Sequence, residues 1–137
     1  MTTDMIDLAR RAVACPRWRW REGMLTQRGA RVLVSEDDGR YVLAARRSWK
    51  QPALMEEGET PDLTDAATLG ALFALVTEAY CDPKRLWDGY VEVHRDQHAV
   101  FYLEQAVHDE DGALVWNCVC SGETKAEVLV RALEIAT

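Results

Sequence analysis

Apolar positions recur along this chain with two different periods, and the changes of period mark out its elements. Met5, Leu8, Ala9 and Ala12 return at helical spacing, with Ile6 and Val13 widening the stripe. A helix is therefore predicted over residues 3–14, stopped by Pro16. From Pro16 the period becomes two. Arg17-Trp18-Arg19-Trp20-Arg21 alternates strictly, which sets both tryptophans on one face of an extended segment and three arginines on the other. A strand is predicted over residues 17–25, followed by strands at 30–35 and 40–46. The last two are joined through Glu36-Asp37-Asp38-Gly39, whose Asp-Gly pair suits the positive φ angles of a tight hairpin.

Residues 48–63 show no period and read as a loop. A second helix follows, with Thr64 or Asp65 as N-cap, a buried face of Leu69, Leu72, Phe73, Val76 and Tyr80, and an end before Pro83. Gly70 inside it costs about 1 kcal/mol against alanine, which is tolerable where another backbone packs closely. Three more strands are expected at 87–94, 99–107 and 113–120, the last two joined by Asp109-Glu110-Asp111-Gly112. Thr124-Lys125-Ala126-Glu127 is a capping box opening a C-terminal helix, with Ala126, Leu129, Val130 and Leu133 as its buried stripe. The order α-β-β-β-α-β-β-β-α, with hairpin-linked strands, predicts an α+β fold: an antiparallel sheet with three helices, in a single domain over 1–137. Whether the strands form one sheet or two is left open by the pattern.

Composition narrows the class. A hydrophobic share of 48% and a charged share of 28% are those of a folded globular chain. No apolar run approaches the ~18 residues of a membrane span, and the acidic start Met1-Thr2-Thr3-Asp4-Met5 is unlike a basic signal peptide. A soluble cytoplasmic protein is the expectation, with no membrane partner. The four cysteines, Cys15, Cys81, Cys118 and Cys120, then read as reduced thiols. Cys118 and Cys120 are two apart on a predicted strand, so both are expected to face inward as small apolar groups.

The net charge of −7 is unevenly spread. Residues 1–50 hold eleven Lys/Arg against six Asp/Glu, whereas residues 51–137 hold five against seventeen. Such a split marks either an acidic partner-binding face or two halves that neutralise one another in the fold.

Cys15-Pro16-Arg17-Trp18-Arg19-Trp20 with Gly23-Met24, Pro61-Asp62-Leu63-Thr64-Asp65 with Ala67-Thr68-Leu69-Gly70, and Thr124-Lys125-Ala126-Glu127 follow one another along the chain. With Leu72, Leu75, Val76 and Glu78-Ala79-Tyr80 between them, they resemble the small uncharacterised proteins encoded in tailed bacteriophage and prophage genomes. The chain departs from that pattern at Ala66, where proline is usual, and at Arg21-Glu22, where Met-Pro is usual; both changes fall on caps and turns. The resemblance implies a phage gene expressed in a bacterial host. It carries over no catalytic residue and no cofactor.

Candidate chemistry is sparse. Arg17, Arg19, Arg21, Arg28 and Arg31 form a basic region interleaved with aromatics, the ingredients of a nucleic-acid surface, provided the rings are exposed beside the cations. The opening helix, three strands and helix also resemble the order of a double-stranded RNA-binding domain. That module relies on a basic start to its second helix, and here the start is Asp62-Leu63-Thr64-Asp65. His94, His98 and His108 with Glu92 or Asp96 would be the ligands of a metal site, if the residues flanking a turn at Arg95-Asp96-Gln97 converged. No P-loop, dinucleotide turn or nucleophile elbow is present. Cys81, placed after a helix C-terminus, has the wrong dipole for a nucleophile. The segment around Trp49, Leu54 and Met55, rimmed by Glu56, Glu57 and Glu59, has the anatomy of a protein-interaction surface, unless Trp49 and Leu54 fold back over the core. The expectation is a non-catalytic protein-binding modulator of a host process, of the anti-defence or anti-CRISPR kind, with a host or phage protein as partner. A nucleic-acid-binding accessory protein is the alternative, and a small metal-binding protein or enzyme the third reading.

Overall fold

Helical spacing carries through to the structure at all three predicted helices. The computed structural model describes residues 3–34, 41–45, 48–54, 58–81 and 89–136, with side chains in 4–33, 58–81 and 89–136. Its order is α1 (Thr3–Ala14), β1 (Ala30–Val34), β2 (Tyr41–Ala45), β3 (Ser48–Leu54), α2 (Ala66–Tyr80), β4 (Val91–Arg95), β5 (Phe101–His108), β6 (Leu114–Gly122) and α3 (Lys125–Ile135). The fold is α+β, and the strands form two antiparallel sheets, β1-β2-β3 and β4-β5-β6. Among the described residues, no helix is long and apolar enough to cross a membrane. The chain gathers into two compact units, Met1–Ala14 with Trp18–Ala71, and Cys15–Arg17 with Leu72–Thr137. The corner at Glu36-Asp37-Asp38-Gly39 lies outside the described residues.

Of the first three strands the pattern predicts, those at 30–35 and 40–46 are present as β1 and β2, and the one at 17–25 is not. Residues 17–25 form no strand beyond an isolated bridge from Leu25 to Arg31. The alternation is nevertheless real. Trp18 and Trp20 meet edge to face with centroids 5.4 Å apart, and both are half-buried, while Arg17 and Arg19 are exposed. Period two reports which way side chains point along any extended segment, whereas a strand also needs a neighbour for its backbone. Here the segment runs from Pro16 to a turn at Gly23, whose φ of +92° breaks it. The missing strand is recovered inside the expected loop, where β3 pairs with β2. β3 carries Pro52, and it lies at an edge, the place where a sheet tolerates proline.

In the first unit a single carboxylate ties the loops to α2. Asp65 is the N-cap: its Oδ2 accepts from the Thr68 amide at 2.9 Å, from the Thr68 hydroxyl at 2.9 Å and from Arg31 Nη1 at 2.8 Å. Arg31 Nη1 also donates to the Gly23 carbonyl at 2.9 Å, and the fully buried Thr68 hydroxyl accepts from the Leu25 amide at 2.8 Å. Alongside, Gln27 N donates to Thr60 O and Asp62 N to Leu25 O, so the 60–65 segment is stitched to the 23–31 turn. Met24, Val32 and Leu63 are buried in this unit.

In the second unit α3 lies against β5 and β6. Thr124 caps it, accepting from the Glu127 amide at 3.1 Å, and the Glu127 carboxylate in turn accepts from the Glu123 amide at 3.0 Å. Ala126, Leu129, Val130 and Leu133 are all buried, as is the inner face of the sheet at Val91 and Leu103. Arg17 belongs to this unit, and its Nε donates to the Ala136 carbonyl at the end of α3, at 3.1 Å, where a cation also favours the helix dipole. Tyr80 Oη donates to the Ala132 carbonyl at 2.8 Å. Gly89 follows α2 with φ +83°, and a Cβ there would overlap the Tyr80 carbonyl oxygen, so no other residue fits.

The close packing that would offset the cost of Gly70 is not seen: among the described residues, no atom outside its own helical turn lies within 4 Å of where its Cβ would be. Gly70→Ala should therefore stabilise the chain by up to about 1 kcal/mol. Asp65→Ala should cost about 2 kcal/mol, because it removes the cap and strips Arg31 and Thr68 of a shared acceptor. Burial pushes the Asp65 carboxyl up, but the bonds from Arg31 and Thr68 and the guanidinium charge outweigh it and hold the group below its ordinary value. Its contribution is thus present above the ordinary carboxylate range and lost as the pH falls through the lowered folded value. Denaturant unfolding of wild type and both variants at pH 7 and below pH 4 checks all three statements.

Candidate interaction surface

Side chains on a sheet alternate between two faces, and residues directly opposite across a ladder share a face. In the second sheet, Val93, Leu103 and Cys120 stand opposite one another on the face toward α3. Cys120 Sγ lies 3.4 Å from the Val128 carbonyl of that helix. The other face has no element of the second unit over it among the described residues. Glu92, Glu104 and Cys118 stand opposite one another there, as do His94, Tyr102 and Ser121. Ala106 pairs with Trp116 on one side and bonds to Tyr90 on the other.

That last row is the feature of this surface. Tyr90 is 45% exposed and Trp116 40% exposed, yet their rings meet at 6.1 Å in a T-shaped arrangement. Ala106, between and beneath them, is only 1% exposed. Leu114, on the same face, is also exposed. Beside the aromatic pair the surface is acidic. Glu92 Oε2 pairs with His94 Nε2 at 2.9 Å, both side chains about two-fifths exposed, a pair worth little to stability in water. His94 also lies against the Tyr102 ring at 5.7 Å. The unit carrying this face holds twelve Asp/Glu against six Lys/Arg, so most of the chain's charge of −7 resides in it.

Trp49 and Leu54 lie on β3, with side chains outside the described residues, and Met55, Glu56 and Glu57 lie outside them altogether. Glu59 does not rim a surface. It is buried and ion-paired with Arg28. Of the arginines, Arg17, Arg28 and Arg31 are committed to Ala136, to Glu59 and to Asp65 with Gly23. Trp18 and Trp20 are half-buried and turned edge to face against each other, with the indole N–H of Trp18 buried, whereas base stacking requires open ring faces. His98 sits in the β4–β5 turn, where Asp96 Oδ1 accepts from the amides of His98 and Val100. His108 ends β5. Among the described residues, no three His, Cys, Asp or Glu side chains come together in a group able to hold a metal.

Cys118 and Cys120 do not face the same way. The ladder shifts between Leu103 and Glu104, so Val119 is an extra residue, and the bulge sends Cys118 outward and Cys120 inward. Burial, with the neighbouring Cys118 sulfur, pushes the Cys120 thiol up to about 11, against an opposing effect of Arg131. It is no nucleophile at neutral pH. The sequence reading missed Tyr90 and Trp116 because Leu114-Val115-Trp116 is an unbroken apolar run, in which period two cannot tell the solvent face from the core face. A raised folded value gives stability that is complete below the ordinary thiol range and declines as the pH rises from about 9 through about 11. Melting temperature should fall across that interval, less so in Cys120→Ala, and alkylation at pH 8 should modify Cys118 well before Cys120. No protein-family model, no curated protein and no solved structure matches this chain.

Proposed function

We propose that this chain is a non-catalytic protein-binding protein, a phage accessory factor that modulates a host process by contact, as anti-defence proteins of the anti-CRISPR kind do. The observation that supports this reading is the Tyr90–Trp116 pair held in solvent on the open face of the second sheet. Aromatic rings fixed by one another and by the sheet lose little entropy on binding, and they are the residues that anchor protein interfaces. The acidic side chains Glu92 and Glu104 on the same face favour a partner with a basic surface. The setting inside a bacterial host comes from the resemblance to phage-encoded proteins. Cytoplasmic location belongs to the same reading.

The test is a pull-down from a bacterial host lysate with tagged wild type and Tyr90→Ser, each with and without nuclease. A discrete host protein should be recovered with wild type in both nuclease lanes. Truncating an anchoring aromatic costs about 2 kcal/mol or more, so Tyr90→Ser should bind it roughly thirtyfold more weakly. Recovery that vanishes with nuclease would move the function to nucleic acid, and equal recovery by the variant would move the contact off this face.

A further inference from the structure

We propose that this chain also pairs with a second copy of itself through β6, with residues 114–118 forming an antiparallel ladder about a two-fold axis at Trp116. The argument begins with Ala106. Its amide donates to the Tyr90 carbonyl at 2.8 Å, and its carbonyl accepts from the Gly89 amide at 2.9 Å, so both of its backbone groups are used on the β4 side. In an antiparallel ladder, opposite residues exchange both bonds or neither. Trp116, opposite Ala106, therefore directs its own N–H and C=O off the edge of the sheet. Strand alternation does the same for Leu114 and Cys118.

The far end of this edge is closed. Arg131 Nη1 donates to the Ser121 carbonyl at 2.6 Å, and the extra residue Val119 ends the regular repeat. Among the described residues, what remains open is residues 114–118, and their midpoint is Trp116. Sheet edges are ordinarily guarded by lysine, proline or other charge. Residues 114–122 contain neither a charged residue nor a proline, in a unit with twice as many acids as bases. The opposite edge, β4, carries Glu92, His94 and Arg95 within its five residues.

Charge selects the occupant. In a unit with twelve Asp/Glu against six Lys/Arg, like charge opposes self-association along the charged segments but not along this uncharged one, which matches itself. The register about Trp116 sets Trp116 against Trp116 of the second copy, Leu114 against its Cys118 and Val115 against its Asn117, each pair on one face. The three outward N–H groups of each copy meet the three outward carbonyls of the other. The open aromatic row continues across the axis, which buries exposed Leu114 and Trp116 against their counterparts. Because the contact is isologous, it consumes the edge in both copies and closes at a dimer.

This proposal is independent of the host-partner reading, since Tyr90→Ser leaves the β6 edge untouched and sedimentation is blind to host protein. Under reducing conditions the wild-type mass should rise with concentration from 15.5 kDa toward twice that value. Trp116→Lys places two cations in apposition and should weaken the dimer at least tenfold, with an unchanged far-ultraviolet spectrum. Leu114→Cys tests the register without disturbing the core. Opposite residues on paired strands sit about 5.5 Å apart at Cα, within disulfide reach. Mild oxidation should therefore yield a covalent dimer through Cys118 of the second copy, and Cys118→Ser should abolish it. A wild-type chain that stays at 15.5 kDa at every concentration, with no Cys118-dependent link from Leu114→Cys, overturns the proposal. So does a dimer that a folded Trp116→Lys leaves intact.

Discussion

A backbone N–H or carbonyl that leaves water must find a partner, and this requirement sorts every extended segment of the chain. The Arg-Trp segment has the side-chain order of a strand but, among the described residues, no strand beside it, so it stays an extended connector. β3 carries a proline that would break an interior ladder, and it survives by lying at an edge, where one side needs no donor. β6 has one side fully paired with β5, and at Trp116 it turns its other side's groups outward.

The polar residues that look most like a site in the sequence are absorbed by a related requirement. Asp65, Arg31 and Thr68 form one closed set of bonds that seats the start of α2 on the 23–31 turn. Glu59 and Arg28 pair, and Arg17 ends a helix. The buried Glu59 and the partly buried Asp65 each meet an arginine, which is the condition for placing a carboxylate in a small domain at modest cost. The motif from Pro61 to Gly70 is thus explained by folding alone, and the same holds for the capping box at Thr124.

How much of this could be read in the sequence follows from the physics of each signal. Helices were legible because their cue is local: Leu8, Ala9 and Ala12, or Leu129 and Leu133, repeat at a spacing that only a helix makes one-sided. The hairpin of β5 and β6 was legible from its Asp-Gly corner. β1 and β2 were legible too, but the third strand of that sheet was not, because pairing is a property of two segments and residues 48–54 show no period that marks them as a strand. The opposed directions of Cys118 and Cys120 depend on one inserted residue, a bulge that no composition or spacing announces. Tyr90 and Trp116 meet across an intervening strand, 26 positions apart in a chain whose local pattern gives neither a side.

A sheet offers surfaces at right angles to each other, because side chains stand perpendicular to it while backbone groups lie in its plane. On the second sheet the open face and the open edge share Trp116: its ring belongs to the aromatic row, and its N–H and C=O belong to the edge. Engaging the edge leaves Tyr90, Glu92 and Glu104 where they are and brings a second set alongside. Pairing at β6 would therefore draw on Trp116, with Leu114 and Cys118, among the residues of the face and leave the rest of it available. It would double the face, and a partner presenting two basic sites would meet both copies with the gain in avidity that a short fixed spacing provides. The edge and the face would then act as parts of one binding surface.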